Sequence, residues 1–312
     1  MKVLLVTTWN VACGISEHAA MLKEAVEAAD PSITIIPDAR ALDPGIFVER
    51  HPDLVHLNYQ AALHSRWTPQ LVTALRRRCP VVVTYHDTNT PNDDHCKAIV
   101  CAADATVVHE PCDDLPEEKV HYWRMGVPGW QRAQEIYPRD ARPVLGTIGF
   151  PFGWKCQSTL IEIAAAAGWT SLLIAPGASV EQVQAWLAID PEMTVCADFL
   201  PRHEAISLLA GCDATAFLYA GANTGQSGAI CLGIAARKPV LAFATNRQFR
   251  ALYDDPLGRQ TIRWCQDFED VARGLRLVPL QRCDPGMVAL AEQDSWARLG
   301  ADYATLYRAL AS

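Results

Sequence analysis

No stretch of the 312 residues approaches the ~20 consecutive apolar residues of a membrane-spanning helix. Peripheral membrane contact is left open. The opening Met1-Lys-Val-Leu-Leu-Val6 is too short for a signal-peptide core and reads as a first strand. Lysine is scarce: six stand among 27 basic residues, against 35 acidic ones, giving a net charge of −8. That balance excludes a general polyanion binder and leaves at most a local basic groove. Arg76-Arg77-Arg78, the one basic run, reads as a solvated helix end before Cys79-Pro80. The eleven cysteines are odd in number and form no CxxC, and the spacing of His95, Cys96 and Cys101 does not match a structural zinc site. The thiols therefore read as reduced and mostly buried, in a reducing, cytoplasmic compartment. Asp93-Asp94, Asp113-Asp114 and Asp254-Asp255 read as caps or turns and not as a carboxylate cluster. No GxGxxG follows the first strand, which weakens a dinucleotide-dependent dehydrogenase reading.

What the chain does have is alternation. Lys2–Val6, Ile33–Ile36, Leu54–Leu57, Val81–Tyr85, Ala105–Val108 and His121–Trp123 read as short strands, with helices at Ser16–Ala29, Thr68–Arg78 and Asp93–Ala102 between them. Ser16 is the expected cap of the first helix. Two prolines and three charges in Tyr137–Pro143 read as a linker. The pattern then restarts, with strands at Val144–Ile148, Ser171–Ile174, Met193–Cys196, Ala214–Leu218, Val240–Phe243 and Thr261–Trp264. The helices expected among them are Ser158–Ala167, Val180–Ala188, Glu204–Gly211, Ala229–Ala236 and Phe268–Leu275. This is the signature of α/β architecture with two doubly wound parallel sheets. The expected domains are 1–140 and 144–293, with a C-terminal helix in 294–312 that packs through Trp296, Leu299, Tyr303, Leu306 and Leu310. Open parallel sheets bind ligands at the carboxyl ends of their strands, so a cleft between two such domains is the expected site.

Five segments carry the candidate chemistry. Cys13-Gly14-Ile15-Ser16-Glu17-His18 follows the first strand. In Pro52–Gln60, His56 and Asn58 share one strand face. Val81-Val-Val-Thr-Tyr-His86-Asp87 is an apolar strand ending in two ionisable residues. Val144-Leu-Gly-Thr-Ile-Gly-Phe-Pro-Phe-Gly-Trp-Lys155 is a strand feeding a glycine-rich loop. Tyr219-Ala-Gly-Ala-Asn-Thr-Gly-Gln-Ser-Gly228 lies between a strand and a helix, where backbone N–H groups and the helix dipole favour a phosphate.

Taken in order, these segments resemble a GT-B glycosyltransferase of the retaining family 4 type. The resemblance implies two Rossmann-like domains facing across a cleft, with the C-terminal helix crossing back to the first. It implies a nucleotide-sugar donor, UDP or GDP, no cofactor or metal, and a glycan, lipid or small-molecule acceptor. His86, Asp87 and Glu17 become catalytic candidates, with His86 facing the transferred sugar. Gly14, Lys155, Asn223, Thr224, Gly225, Gln226, Ser227 and Gly228 become donor-binding candidates, and His18, His56 and Asn58 acceptor-side ones. Two departures stand out. Phe150 sits near the expected arginine, and Cys156 replaces the glycine after the family's lysine. The family's glutamate pair is also missing: Thr224-Gly225-Gln226-Ser227 replaces its Glu-Gly-Phe-Gly, and the second acid falls on Leu232. Neutral groups at Asn223, Thr224 and Gln226 are then expected to take the sugar contacts. Three alternatives stand beside this reading. One is a DNA-base glycosyltransferase, against which the acidic charge counts. Another is an epimerase or hydrolase using Glu17, His86 and Glu110. The last is a non-catalytic sugar-nucleotide binding protein.

Overall fold

A computed structural model describes residues 1–39, 50–61, 63–64, 67–86, 94–111, 115–134, 142–221, 225–278 and 283–312. Asp87, Asn223, Thr224 and most of the expected linker lie outside the described residues. The chain forms two compact units. One comprises Met1–Gly126, Asn223–Gln226 and Asp294–Ser312; the other comprises Val127–Ala222 and Ser227–Gln293.

In the first unit, β1 (Lys2–Val6), α1 (Gly14–Ala29), β2 (Thr34–Asp38), β3 (Leu54–Tyr59), α2 (Pro69–Arg76), β4 (Val81–Tyr85), α3 (Asp94–Ala102), β5 (Ala105–Val108) and β6 (Val120–Tyr122) alternate along the chain. The six strands are parallel, in the order β2-β1-β3-β4-β5-β6. Runs such as Val81-Val-Val-Thr-Tyr are buried on both faces, as parallel strands covered by helices must be. Side-chain alternation then sorts β3 and β4. Val55, Leu57, Tyr59, Val81, Val83 and Tyr85 join Val72, Leu75, Ile99 and Val100 in an apolar core. His56, Asn58, Thr84 and His86 alternate with them, so the polar residues share the opposite face.

The second unit holds β7 (Val144–Ile148), α4 (Gln157–Ala166), β8 (Thr170–Ile174), α5 (Val180–Ile189), β9 (Thr194–Cys196), α6 (Arg202–Ala210), β10 (Ala214–Phe217), α7 (Gly228–Ala235) and β11 (Val240–Phe243). It continues through α8 (Arg250–Asp254), α9 (Pro256–Thr261), β12 (Arg263–Cys265), α10 (Phe268–Leu277) and α11 (Pro285–Gln293). Its sheet is also parallel, in the order β12-β11-β10-β7-β8-β9. The chain winds outward from β7 in one direction and from β10 in the other. These two strands are neighbours at the point where the winding reverses, so the loops after them emerge side by side.

The final helix, α12 (Trp296–Ala311), belongs to the first unit and lies along α1. Gly300 permits the approach: a methyl group there would run into the backbone of Ala25. Arg124 holds the helix entry through a two-pronged pair with Asp294, at 2.8 and 2.6 Å.

The structure corrects several local expectations. α1 begins at Gly14 behind Cys13, and Ser16 lies inside its first turn, where its hydroxyl accepts from the Val11 N–H. The sequence pattern missed α8, α9 and α11, short helices without a strong apolar period; Asp255 caps α9 through the Gly258 N–H. Leu310 is only partly buried, whereas Trp296, Leu299, Tyr303 and Leu306 are core residues.

Candidate functional site

The first unit collects four histidines on the polar face of its sheet. His86 follows β4, His56 lies within β3, His18 sits in the first turns of α1, and His109 follows β5. The His18 and His86 rings meet edge to face at 4.7 Å, and His109 lies 5.1 Å from His18. Burial, reinforced by the neighbouring imidazoles, holds His18 and His86 well below the usual histidine range. Burial also lowers His56 to about 3 and His109 to about 4. All four are therefore neutral at pH 7.

Backbone carbonyls fix how two of these rings are protonated. Asn58 Nδ2 lies 3.2 Å from the Ile15 carbonyl and 3.1 Å from Thr7 Oγ1. A carbonyl only accepts, so Asn58 presents its Oδ1 to His86, and His86 Nε2–H donates to it at 2.6 Å. In the neutral ring His86 Nδ1 is then a lone pair. His109 Nδ1 lies 2.7 Å from the Trp123 carbonyl and must likewise donate. That leaves a lone pair on His109 Nε2, which accepts from His18 Nε2–H at 3.0 Å. His18 Nδ1 is consequently a bare acceptor, buried and without a hydrogen-bond partner. The His109–Glu110 pair after β5 repeats the pattern of His86–Asp87 after β4, and that repetition is the sequence signal for His109.

His56 plays a different part. Its Nδ1 lies 2.5 Å from the Tyr307 hydroxyl and its Nε2 2.8 Å from Thr84 Oγ1, which in turn lies 2.7 Å from the Tyr303 hydroxyl. Both tyrosines are on α12, so His56 is a buried strut with both nitrogens engaged within the unit. Glu17 is partly buried in the first turn of α1. Gly14 is exposed, and open space surrounds the position a methyl group would take there. Gly225, at φ +79°, packs against the His86 carbonyl, and Gln226 Oε1 accepts from the Met125 N–H at 2.6 Å. The carbonyl end of Gln226 is thus committed to the backbone.

The second unit carries the other candidates at the reversal point of its sheet. Lys155 ends a short 3-10 turn, Gly153–Lys155, after β7. Its ammonium lies 5.3 Å from the centres of both the Trp154 and Tyr219 rings and beside Gly149. Glycine at 149 has φ +151°, and any side chain there would overlap Nζ. Burial lowers Lys155 to about 8, and no carboxylate pairs with it among the described residues. The Ala220 N–H donates to the Trp154 carbonyl at 2.7 Å, tying the loop after β7 to the loop after β10. Ser227 precedes α7 but does not cap it; its hydroxyl lies 3.1 Å from the Tyr219 hydroxyl. The first-turn N–H groups of a helix lack intrahelical acceptors, so Ser227 and Gly228 present an uncapped helix start. Cys156 adopts φ 52°, ψ 34° at the start of α4, a left-handed conformation that glycine takes without strain. Phe150 stacks on Phe199 and brings no charge.

No protein-family model and no curated protein sequence matches the chain. Solved structures do. A sucrose-phosphate synthase from Thermosynechococcus elongatus superposes with a TM-score of 0.74 at 15% identity, over 99% of each chain. The lipopolysaccharide outer core galactosyltransferase WaaB gives 0.66 at 12% identity, over 99% of this chain and 100% of that one. An α,α-trehalose-phosphate synthase (UDP-forming) from Burkholderia xenovorans, in complex with glucose-6-phosphate, gives 0.66 at 8% identity, over 98% and 99%. With two parallel six-stranded sheets flanked by helices and full-length superposition on these enzymes, the chain has the GT-B glycosyltransferase fold.

Proposed function

We propose that the protein transfers a sugar from a nucleotide-sugar donor to an acceptor hydroxyl. The observation that carries this reading is Lys155: a partly buried ammonium, walled by two aromatic rings, without a carboxylate among the described residues, at the carboxyl end of its sheet. A buried cation without a counter-ion is costly unless an anion from solution completes the site. A donor diphosphate supplies that anion. The start of α7 at Ser227–Gly228, reached from the strand beside β7, adds N–H donors for the same group.

In this reading the leaving phosphate is stabilised by Lys155 and the helix start, and it takes the proton of the attacking hydroxyl. Attack from the same face retains the anomeric configuration. No enzymic nucleophile and no metal is required. His86 orients the sugar through its Nδ1 lone pair, and Glu17, Asp87, Asn223, Thr224 and Gly14 are the remaining contact candidates; Asn58, buried with its amide engaged at both ends, is a supporting residue. His56 is a supporting residue, and Gln226 contributes at most its amide end. The acceptor class is a glycan, lipid or small molecule, and the compartment is the cytoplasm. Among the described residues, no helix is long and apolar enough to cross a membrane.

Calorimetry across UDP-, GDP-, ADP- and CMP-sugars, on the protein and on Lys155→Met, tests the reading. One nucleotide sugar should bind the protein and lose at least tenfold affinity on the variant. Equal binding to both would overturn the role of Lys155. Binding without turnover under any acceptor would leave a sugar-nucleotide binding protein.

A further inference from the structure

The His18–His109 pair has no part in the mechanism above, yet its hydrogen bonding is fully determined. The Trp123 carbonyl fixes His109, and His109 fixes His18. The chain ends on a buried acceptor, His18 Nδ1, with no hydrogen-bond partner among the described residues. A second orphan lies beside it: the indole N–H of Trp296 is buried without an acceptor, and its ring centre is 5.2 Å from that of His18. Trp296 has little freedom to turn away, because Gly126 lies flat against its indole and the Arg124–Asp294 pair anchors the start of α12. An acceptor lacking a donor beside a donor lacking an acceptor is the complement of one hydroxyl group, which gives a proton and takes one. Leaving both unmet costs the desolvation of each group with no bond in return.

We propose that His18 is a positioning residue that reads one hydroxyl of the transferred sugar: the hydroxyl donates to His18 Nδ1 and accepts from Trp296 Nε1. His109 acts through His18 by holding it in the required tautomer. The inference rests on the sugar-transfer reading, in which His86, edge-on to His18 at 4.7 Å, faces the same sugar. A neutral pair of one acceptor and one donor matches a hydroxyl, whereas a carboxylate or phosphate oxygen has no proton to give His18 Nδ1.

The test uses the full chain and whichever of UDP-glucose, UDP-galactose or GDP-mannose binds it. His18→Gln keeps a polar group toward His109 and removes the Nδ1 acceptor. His18→Asn keeps an acceptor at the Nδ1 position. Trp296→Phe keeps the ring and removes the N–H. The nucleotide sugar should bind His18→Gln and Trp296→Phe about tenfold more weakly, while the bare nucleotide binds all variants equally. His18→Asn should recover most of the loss of His18→Gln. In the unsubstituted protein, the ¹⁵N resonance of His18 Nδ1 should report an unprotonated nitrogen that shifts with the nucleotide sugar and not with the nucleotide. Equal sugar-nucleotide affinity in His18→Gln, or an Nδ1 resonance indifferent to the sugar, would mean that only water meets these groups, and the inference falls while sugar transfer stands. Equal losses for nucleotide and nucleotide sugar would mark a structural role and also overturn it. If no nucleotide sugar binds the unsubstituted protein, both readings fall.

Discussion

Gly225 packs so closely on the carbonyl oxygen of His86 that a methyl group at 225 would overlap it, and its φ of +79° disfavours any other residue. The residue that follows β4 and the glycine at 225 are therefore fitted to each other through backbone atoms.

Gly225→Ala should thus be destabilising by 2 kcal/mol or so: about 1–2 for the left-handed backbone, with the overlap added. Gly14→Ala is the control. Open space surrounds it, at the first position of α1. Its stability should hold or rise by about 0.4–1 kcal/mol, while nucleotide-sugar affinity falls because the ligand loses its close approach. Urea midpoints and calorimetry separate the two effects. A stable Gly225→Ala protein would show that the loop does not need this contact.

Cys156→Gly should stabilise the protein by roughly 1 kcal/mol. Relief of the left-handed strain, about 1–2 kcal/mol, outweighs the entropy that glycine adds to the unfolded chain, about 0.4–1. Chemical denaturation checks the sign. A loss of stability would mean that the thiol contact with the Trp154 carbonyl, at 3.6 Å, matters more than the backbone.

Nucleotide affinity should be steady below pH 8 and decline above it. Lys155 titrates at about 8 in the free protein, and a bound diphosphate raises that value. Between the two values, binding takes up a proton, so affinity falls by up to about tenfold per pH unit. Lys155→Met should bind weakly with a flat profile over the same range. A flat profile in the unsubstituted protein would rule out Lys155 as the phosphate cation.

Stability should be greatest above pH 6.5 and fall on acidification. His56 and His109 titrate at about 3 and about 4 when folded, whereas unfolded histidine titrates near 6.5. Below 6.5 the unfolded chain binds more protons, so each of these histidines removes up to about 1.4 kcal/mol per pH unit until its folded value is reached. His18 and His86 act in the same direction. Urea midpoints at pH 7.5, 6 and 5 should descend in order; an unchanged midpoint would mean that the cluster is hydrated and charged.

Much of the fold was legible because parallel strands advertise themselves. Val81–Tyr85 and Ala214–Phe217 are continuous apolar runs with no competing helical period. The glycine-poor, amphipathic segments between them follow from the same burial. The candidate site was legible only where chemistry sits at a strand end, as with His86, or in a glycine-rich loop, as with Lys155. The tautomer chain through His109 was not, because it depends on the carbonyls of Trp123 and Ile15, and sequence says nothing of where a carbonyl points. The cysteine at 156 stands where the resemblance expects a glycine, and its left-handed backbone is one that glycine takes without strain.

The placement of α12 bears on how the chain is made. Tyr303 and Tyr307 complete the hydrogen bonds of Thr84 and His56, residues synthesised more than two hundred positions earlier. During translation the second unit emerges whole before those partners exist. The first unit must wait with a polar seam open on its sheet until α12 follows. Folding of β3 and β4 is in this sense licensed by residues that follow the second unit, and a nascent chain stalled before residue 303 would hold a finished second unit and an unfinished first.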